Sequence, residues 1–352
     1  APTDTTGLFI TLHSYSQLVI WPWGWTDTDA PNHTQLQTLG RRLAYFNDYS
    51  PQQANDLYMT TGSSDDWAYG ELGIAAYTFE MGTQFFQDCE SYESTIYPDN
   101  LQALLYAFKA ARQPYMDPAG PRIVDVAVSN SLAAPGETVI LTALVDDGLF
   151  NNSNGREPTQ DISAARYSID SPSWIDGTIT YPFTPSDGNF NDPVEEIEAI
   201  IDTTSLTGGQ HTLFIEAMDD DLNWGVPTAI FITIQRYDFN VETSADYMVA
   251  ITANTLVTYY IELTNTGSIP DAYNLAVTSD WDVTYPDLIS SVEPDESIVV
   301  EVEVSVPLLA TPGSLNTAML TFTSQGDPFI SRSISLYTRL DWLHTFLPAL
   351  MK

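Results

Sequence analysis

Two apolar runs end on side chains that can hold a metal or move a proton. "LFITLH" closes at His13 and "IAAYTFEM" carries Glu80 near its end. A lone carboxylate in a buried strand is costly unless it is paired or neutralised. Glu80 therefore either opens a loop and faces water, or it has a partner. His13 is either a satisfied structural imidazole or a metal ligand. Tyr58 lies in "LYMTTGSSDDWAYGELG", a Gly/Ser-rich stretch where a tyrosine usually packs on the surface. In "GSSDDW", Ser63 or Ser64 can cap a helix, and Asp65 and Asp66 would meet its positive end.

These residues need elements to position them. Leu8–Leu12 reads as a short buried strand, and 74–81 as another. Leu36, Leu39, Leu43 and Phe46 recur at helical spacing. Leu101, Leu104, Leu105 and Phe108 make a second amphipathic helix, with Asp99 or Asn100 as its cap. Residues 1–115 thus have an α/β texture. "QPYMDPAGP", 113–121, ends the helix and reads as a linker. Beyond it come short alternating runs such as "ETVILTALVDD" and "SIVVEVEVSVP", broken by Gly, Pro, Asn and Asp. That is the pattern of all-β sandwiches, one over 116–235 and a second over 236–340. A short tail, 341–352, follows.

The 352 residues carry 47 Asp plus Glu against 11 Lys plus Arg, a net charge of −36. So few cations cannot displace counterions from nucleic acid or hold an anionic membrane. No apolar run approaches the ~20 residues that span a bilayer. Cys89 is the single cysteine, so a disulfide framework within the chain is impossible.

Three blocks, "HSYSQLVIWPWGW", "LYMTTGSSDDW" and "YTFEMG", together resemble the C-terminal part of the catalytic domain of zinc carboxypeptidases of the pancreatic A/B type. The resemblance implies that His13 is a zinc ligand and that Glu80 activates the metal-held water and shuttles its proton. It implies that Ser14 and Tyr15 line the substrate cleft and that Tyr58 closes over the bound C-terminal residue. Asp65 matches the base of the specificity pocket, where an acid favours substrates ending in Lys or Arg. It also implies cis peptides at Ser14–Tyr15 and Pro22–Trp23. The substrates would be peptide or protein C-termini. Residues 122–235 and 237–338 resemble Ig-like modules of secreted bacterial proteins. The fold class expected is therefore multidomain: a partial α/β metallocarboxypeptidase domain followed by two Ig-like sandwiches, in an extracellular protein.

The pattern departs from the family in one respect. Two further zinc ligands belong to an upstream His-x-x-Glu motif, and none of His13, His33, His211 or His344 has Glu three residues on. The cations that grip the substrate carboxylate have no match either. Zn2+ is thus expected only in a complete enzyme, and this chain alone is expected to be inactive. A partner surface should cover Leu8–Leu12: the missing N-terminal half of the catalytic domain, or a neighbouring copy. The alternative is a processed structural or adhesive subunit of an extracellular oligomer or filament. Finally, Asp219, Asp221 and Asn223, beside Asp220, form an oxygen-rich loop that either binds Ca2+ or is a solvated acidic turn.

Overall fold

The computed structural model describes residues 1–341; the tail proposed at 341–352 lies, past Asp341, outside the described residues. The protein is multidomain and β-rich. It divides into two compact units, the first made of Ala1–Ser131, Glu137–Asp202 and His211–Ile232.

The first unit begins with a four-stranded sheet. Its strands are β1 (Leu8–His13), β2 (Leu18–Trp21), β3 (Ser50–Gln53) and β4 (Ala75–Glu80), in the order β1-β4-β2-β3. β1 runs parallel to β4, and β2 runs antiparallel to β4. β2 is wholly buried and β4 nearly so, which suits their unbroken apolar sequences. β1 differs from the buried strand expected. It is a sheet edge, half-buried along Leu8–Thr11 and exposed at Leu12 and His13, because among the described residues no strand lies on its outer side.

Three helices pack on this sheet. In α1 (His33–Asn47) the Leu36, Leu39 and Leu43 stripe is fully buried, as the spacing predicts. Gly40 sits on the same helix because a Cβ there would come within 2.6 Å of the Trp21 ring. α2 (Ser64–Leu72) ends at Gly73, whose positive φ of 71° closes the helix with a bond to the Tyr69 carbonyl. α3 (Tyr97–Ala110) is where the expected stripe fails. Its buried residues include Ala103, Tyr106, Ala107 and Ala110, whereas Leu105 is exposed and Phe108 is 79% exposed. Small side chains let the helix approach its neighbours closely, so the alanine face goes inward. Asn100 is no cap either. It is buried inside the helix, donating to Ile96 O and Tyr49 Oη and accepting from Asn47.

The Pro-rich stretch after α3 is a short turn with Asp117 and Pro118 buried, not a free linker. The sandwich that follows belongs to the same unit. One sheet joins Arg122–Val128, Thr138–Asp146 and Val194–Asp202; another contains Ile162–Ile169, Gly209–Asp219 and Thr228–Ile234. Strict alternation buries Val139, Leu141, Ala143 and Val145 opposite Ile197, Ala199 and Ile201. The loop 147–157 clasps α1. Arg41 pairs with Glu157 at 2.6 Å, and Thr38 Oγ1 donates to the same carboxylate. Arg42 donates to the carbonyls of Leu149, Pro118 and Gly120.

The second unit is a sandwich in its own right. Phe239–Thr243, Leu256–Asn265 and Ser297–Ser305 form one sheet. Ser331–Leu340, Leu315–Ser324 and Asp271–Thr278 lie in the other. Tyr259, Ile261, Val302, Leu320 and Phe322 are buried in its core.

Candidate active site

β1 and β4 end side by side. Parallel pairing in register makes His13 the partner of Glu80, and the His13 carbonyl accepts from the Met81 N–H at 2.9 Å. Register partners on neighbouring strands point to one face, so imidazole and carboxylate meet, with Nδ1 and Oε1 3.8 Å apart. The two differ in solvation: the His13 side chain is 52% exposed and that of Glu80 13%. Burial pushes the Glu80 carboxyl up from its ordinary range, with the His13 charge opposing. Glu80 therefore does have a partner, and it holds its proton more tightly than a free glutamate.

The chain turns sharply after β1. Ser14–Tyr15 is a cis peptide, and so is Pro22–Trp23. The Ser14 hydroxyl donates to the Phe85 carbonyl at 3.2 Å, and the Tyr15 ring meets Phe85 edge-on at 6.2 Å. Phe85 belongs to the loop that leaves β4, so that loop folds back over the end of β1. Phe85 and its neighbour Phe86, both exposed, were not singled out from the sequence.

Asp65 and Asp66 open α2. Asp66 accepts from the Gly24 N–H through both oxygens, at 3.0 and 3.2 Å, which holds the turn after Trp23. Burial raises its pKa. Asp65 is 2% exposed; it accepts from the Thr78 hydroxyl at 3.1 Å and from the Asp66 N–H. Thr78 lies two residues before Glu80 on β4, hence on the same strand face. Asp65 is thus tied to the base of the His13–Glu80 site. Thr78 was not singled out from the sequence, since a threonine in a buried strand needs no special reading. Tyr58 stands apart. It follows the single helical turn Ala54–Leu57 with extended backbone and is 64% exposed. Among the described residues, no hydrogen bond or ring contact joins it to His13 or Glu80.

Residues 3–103 match the zinc carboxypeptidase family. Over this stretch the chain is similar to zinc carboxypeptidases. A zinc carboxypeptidase of Saccharothrix mutabilis subsp. capreolus is 47% identical over 75 residues, which is 20% of this chain and 17% of that protein. Carboxypeptidase O of Bos taurus is 33% identical over 123 residues, 32% of each chain. A zinc carboxypeptidase of Simulium vittatum is 42% identical over 82 residues, 21% of this chain and 27% of its own. The matched part spans less than a third of the length of these relatives.

The residues present do not by themselves fit a catalytic zinc ion. No group of three or more His, Cys, Asp or Glu able to hold a metal occurs among the described residues. His13 offers one nitrogen and Glu80 stands against it. In the 219–223 loop, the backbone and side-chain nitrogens of Asn223 donate to the two Asp219 oxygens at 2.8 and 2.9 Å. Asp219 is fully buried and Asp221 exposed. Among the described residues no helix is long and apolar enough to cross a membrane.

Proposed function

We propose that residues 1–115 are the C-terminal part of a metallocarboxypeptidase domain, and that the complete enzyme hydrolyses C-terminal residues from peptides or proteins outside the cell. In this reading an upstream half supplies the remaining zinc ligands and the cations that grip the substrate carboxylate. It also completes the sheet beyond β1. The chain alone is inactive. The observation that carries the reading is the meeting of His13 and Glu80 at 3.8 Å within a stretch 47% identical to a zinc carboxypeptidase.

Each residue has work to do on that reading. His13 is the metal ligand this chain contributes. Glu80, largely enclosed, takes a proton from the attacking water and returns it to the leaving amine. Ser14 and Tyr15 line the cleft, and Tyr58, exposed and unpinned, moves to cover the terminal residue of the substrate. Asp65 sets a preference for Lys or Arg at that residue by pairing with a cation, provided the Thr78 hydroxyl swings away.

The experiment is reconstitution. The 352-residue chain, co-expressed with an upstream half from the same coding sequence, should bind one zinc per complex and trim peptides ending in Lys faster than those ending in Leu. Glu80→Gln should cut the turnover by about 100-fold or more while zinc stays bound. Full activity in that variant would refute the assignment of Glu80. Stoichiometric zinc on the chain alone would refute the need for an upstream half.

A further inference from the structure

A cavity of about 470 Å³ opens within the first unit, between α3 and the start of the sandwich. Its walls are largely apolar: Phe46 from α1, Tyr106 from α3, and Ile123 and Val226 from the sandwich. Two cations, Lys109 and Arg122, also line it. Their presence is unexpected in a molecule with 47 acids and 11 lysines and arginines. Arg41, Arg112, Arg166, Arg332 and Arg339 each have a carboxylate within 4 Å. Among the described residues, Lys109 and Arg122 have none, and neither do Arg42, Arg156 and Arg236. Lys109 Nζ reaches only the Thr228 hydroxyl, at 3.4 Å. Arg122 lies over the Phe46 ring, 4.4 Å from its centroid, and Asp146 acts on it only from farther away.

Two cations facing one apolar cavity without a counter-ion repel each other and lose hydration. Desolvation, then the charge of Arg122, lowers the Lys109 pKa; desolvation lowers that of Arg122. Tyr106, 6% exposed, also lines the cavity; among the described residues its buried hydroxyl makes no full hydrogen bond and has Arg42 nearby. An anion entering here would neutralise the pair beside apolar walls, where the interaction is stronger than in open water. The apolar walls decide which anion. A free phosphate is strongly hydrated and leaves the apolar walls unfilled, whereas an organic acid places its carbon body against Phe46, Ile123 and Val226.

We propose that this cavity binds an apolar carboxylate, its head group held by Lys109 and Arg122 and its hydrocarbon body by the cavity wall. The site is separate from His13 and Glu80 and does not depend on the peptidase reading. Two sources carry this chemistry: a free aliphatic acid, and the C-terminal residue of an apolar peptide.

Isothermal titration calorimetry on the 352-residue chain tests it with octanoate and with acetyl-Leu-Leu, against octanol, acetyl-Leu-Leu-amide and inorganic phosphate. Saturable binding is expected for at least one carboxylate, about tenfold tighter than its uncharged counterpart. The tighter of the two names the source. Lys109→Gln, at an exposed position, should weaken that binding about tenfold without shifting the thermal melt. Arg122→Gln should do the same, with circular dichroism confirming the fold. The proposal fails if neither carboxylate saturates, if octanol or phosphate binds as well, or if folded Lys109→Gln binds like the parent.

Discussion

The carboxylate of Asp65, at the start of α2, and the hydroxyl of Thr78, in the middle of β4, are hydrogen-bonded at 3.1 Å in a site sealed from solvent. The bond locks helix to strand two residues before Glu80. Removing the donor leaves a buried carboxylate oxygen without a partner. Thr78→Val should therefore destabilise the first unit by about 1–3 kcal/mol. Asp65→Ala should cost a similar amount, and the double variant clearly less than the sum. Urea unfolding of the four proteins gives the coupling, and simple additivity would show that the bond contributes nothing.

Arg42 joins α1 to both the sandwich loop and the 113–121 turn. It is fully buried, its guanidinium lies 3.5 Å over the Phe150 ring, and it serves three carbonyls. Arg42→Ala leaves those carbonyls without their donor and opens a hole beside Phe150. A loss of about 3 kcal/mol or more is expected, with faster proteolysis of the 113–121 turn. Arg42→Lys should rescue little, because an ammonium neither stacks on the ring nor spans three acceptors. Denaturant midpoints of the two variants check this, and near-complete rescue by lysine would show that charge alone matters there.

Asp147 ties stability to pH. It is fully buried; Oδ2 accepts from the Gln160 N–H at 2.7 Å, while Oδ1 has no partner. Burial pushes its pKa to about 7 from an ordinary 3.8, and Arg42 only partly opposes. Near pH 3.8 and below, the carboxyl is protonated whether folded or unfolded, so nothing is lost. As pH rises, the unfolded chain releases the proton while the native state keeps it, and stability falls until about pH 7. Asp147→Asn keeps an acceptor for Gln160 and cannot ionise. It should match the parent near pH 4 and exceed it by about 1 kcal/mol or more at pH 8. Asp117, raised by burial to about 7 beside Arg112, leaves a residual slope of the same sign. Equal urea midpoints for parent and variant at pH 8 would rule this out.

The apolar runs ending at His13 and Glu80 made both strands legible, and the three blocks around them carried the family. Strand order was not legible, and it decides that β1 is an edge while β4 is enclosed. Leu105 and Phe108 pointed to the wrong face of α3, while Leu104 does pack against the core; a hydropathy stripe does not register the close packing that Ala103, Ala107 and Ala110 allow. The 219–223 loop had the composition of an oxygen cage. How those side chains meet is a matter of geometry: Asn223 bonds Asp219 while Asp221 faces solvent. The clasp of loop 147–157 on α1 was hidden because Arg41 and Glu157 are 116 residues apart.

The outer edge of β1 gives a last expectation. β4 satisfies one side of the strand, and among the described residues no strand pairs with the other. Beside it, Leu8 and Ile10 with Leu104, Ala107, Phe108 and Ala111 of α3 and its end line an apolar groove of about 240 Å³. Backbone groups on such an edge exchange freely with solvent or recruit another strand. In the chain alone, the β1 amides that face away from β4 should exchange within seconds to minutes, on the order expected for unpaired backbone, while those of β2 and β4 stay protected. Joining an upstream half should slow the outer β1 amides by about 100-fold or more and cover Phe108. Hydrogen exchange read by mass spectrometry on both samples distinguishes the cases. Protection of β1 in the chain alone, at a concentration where it sediments as a monomer, would contradict the open edge.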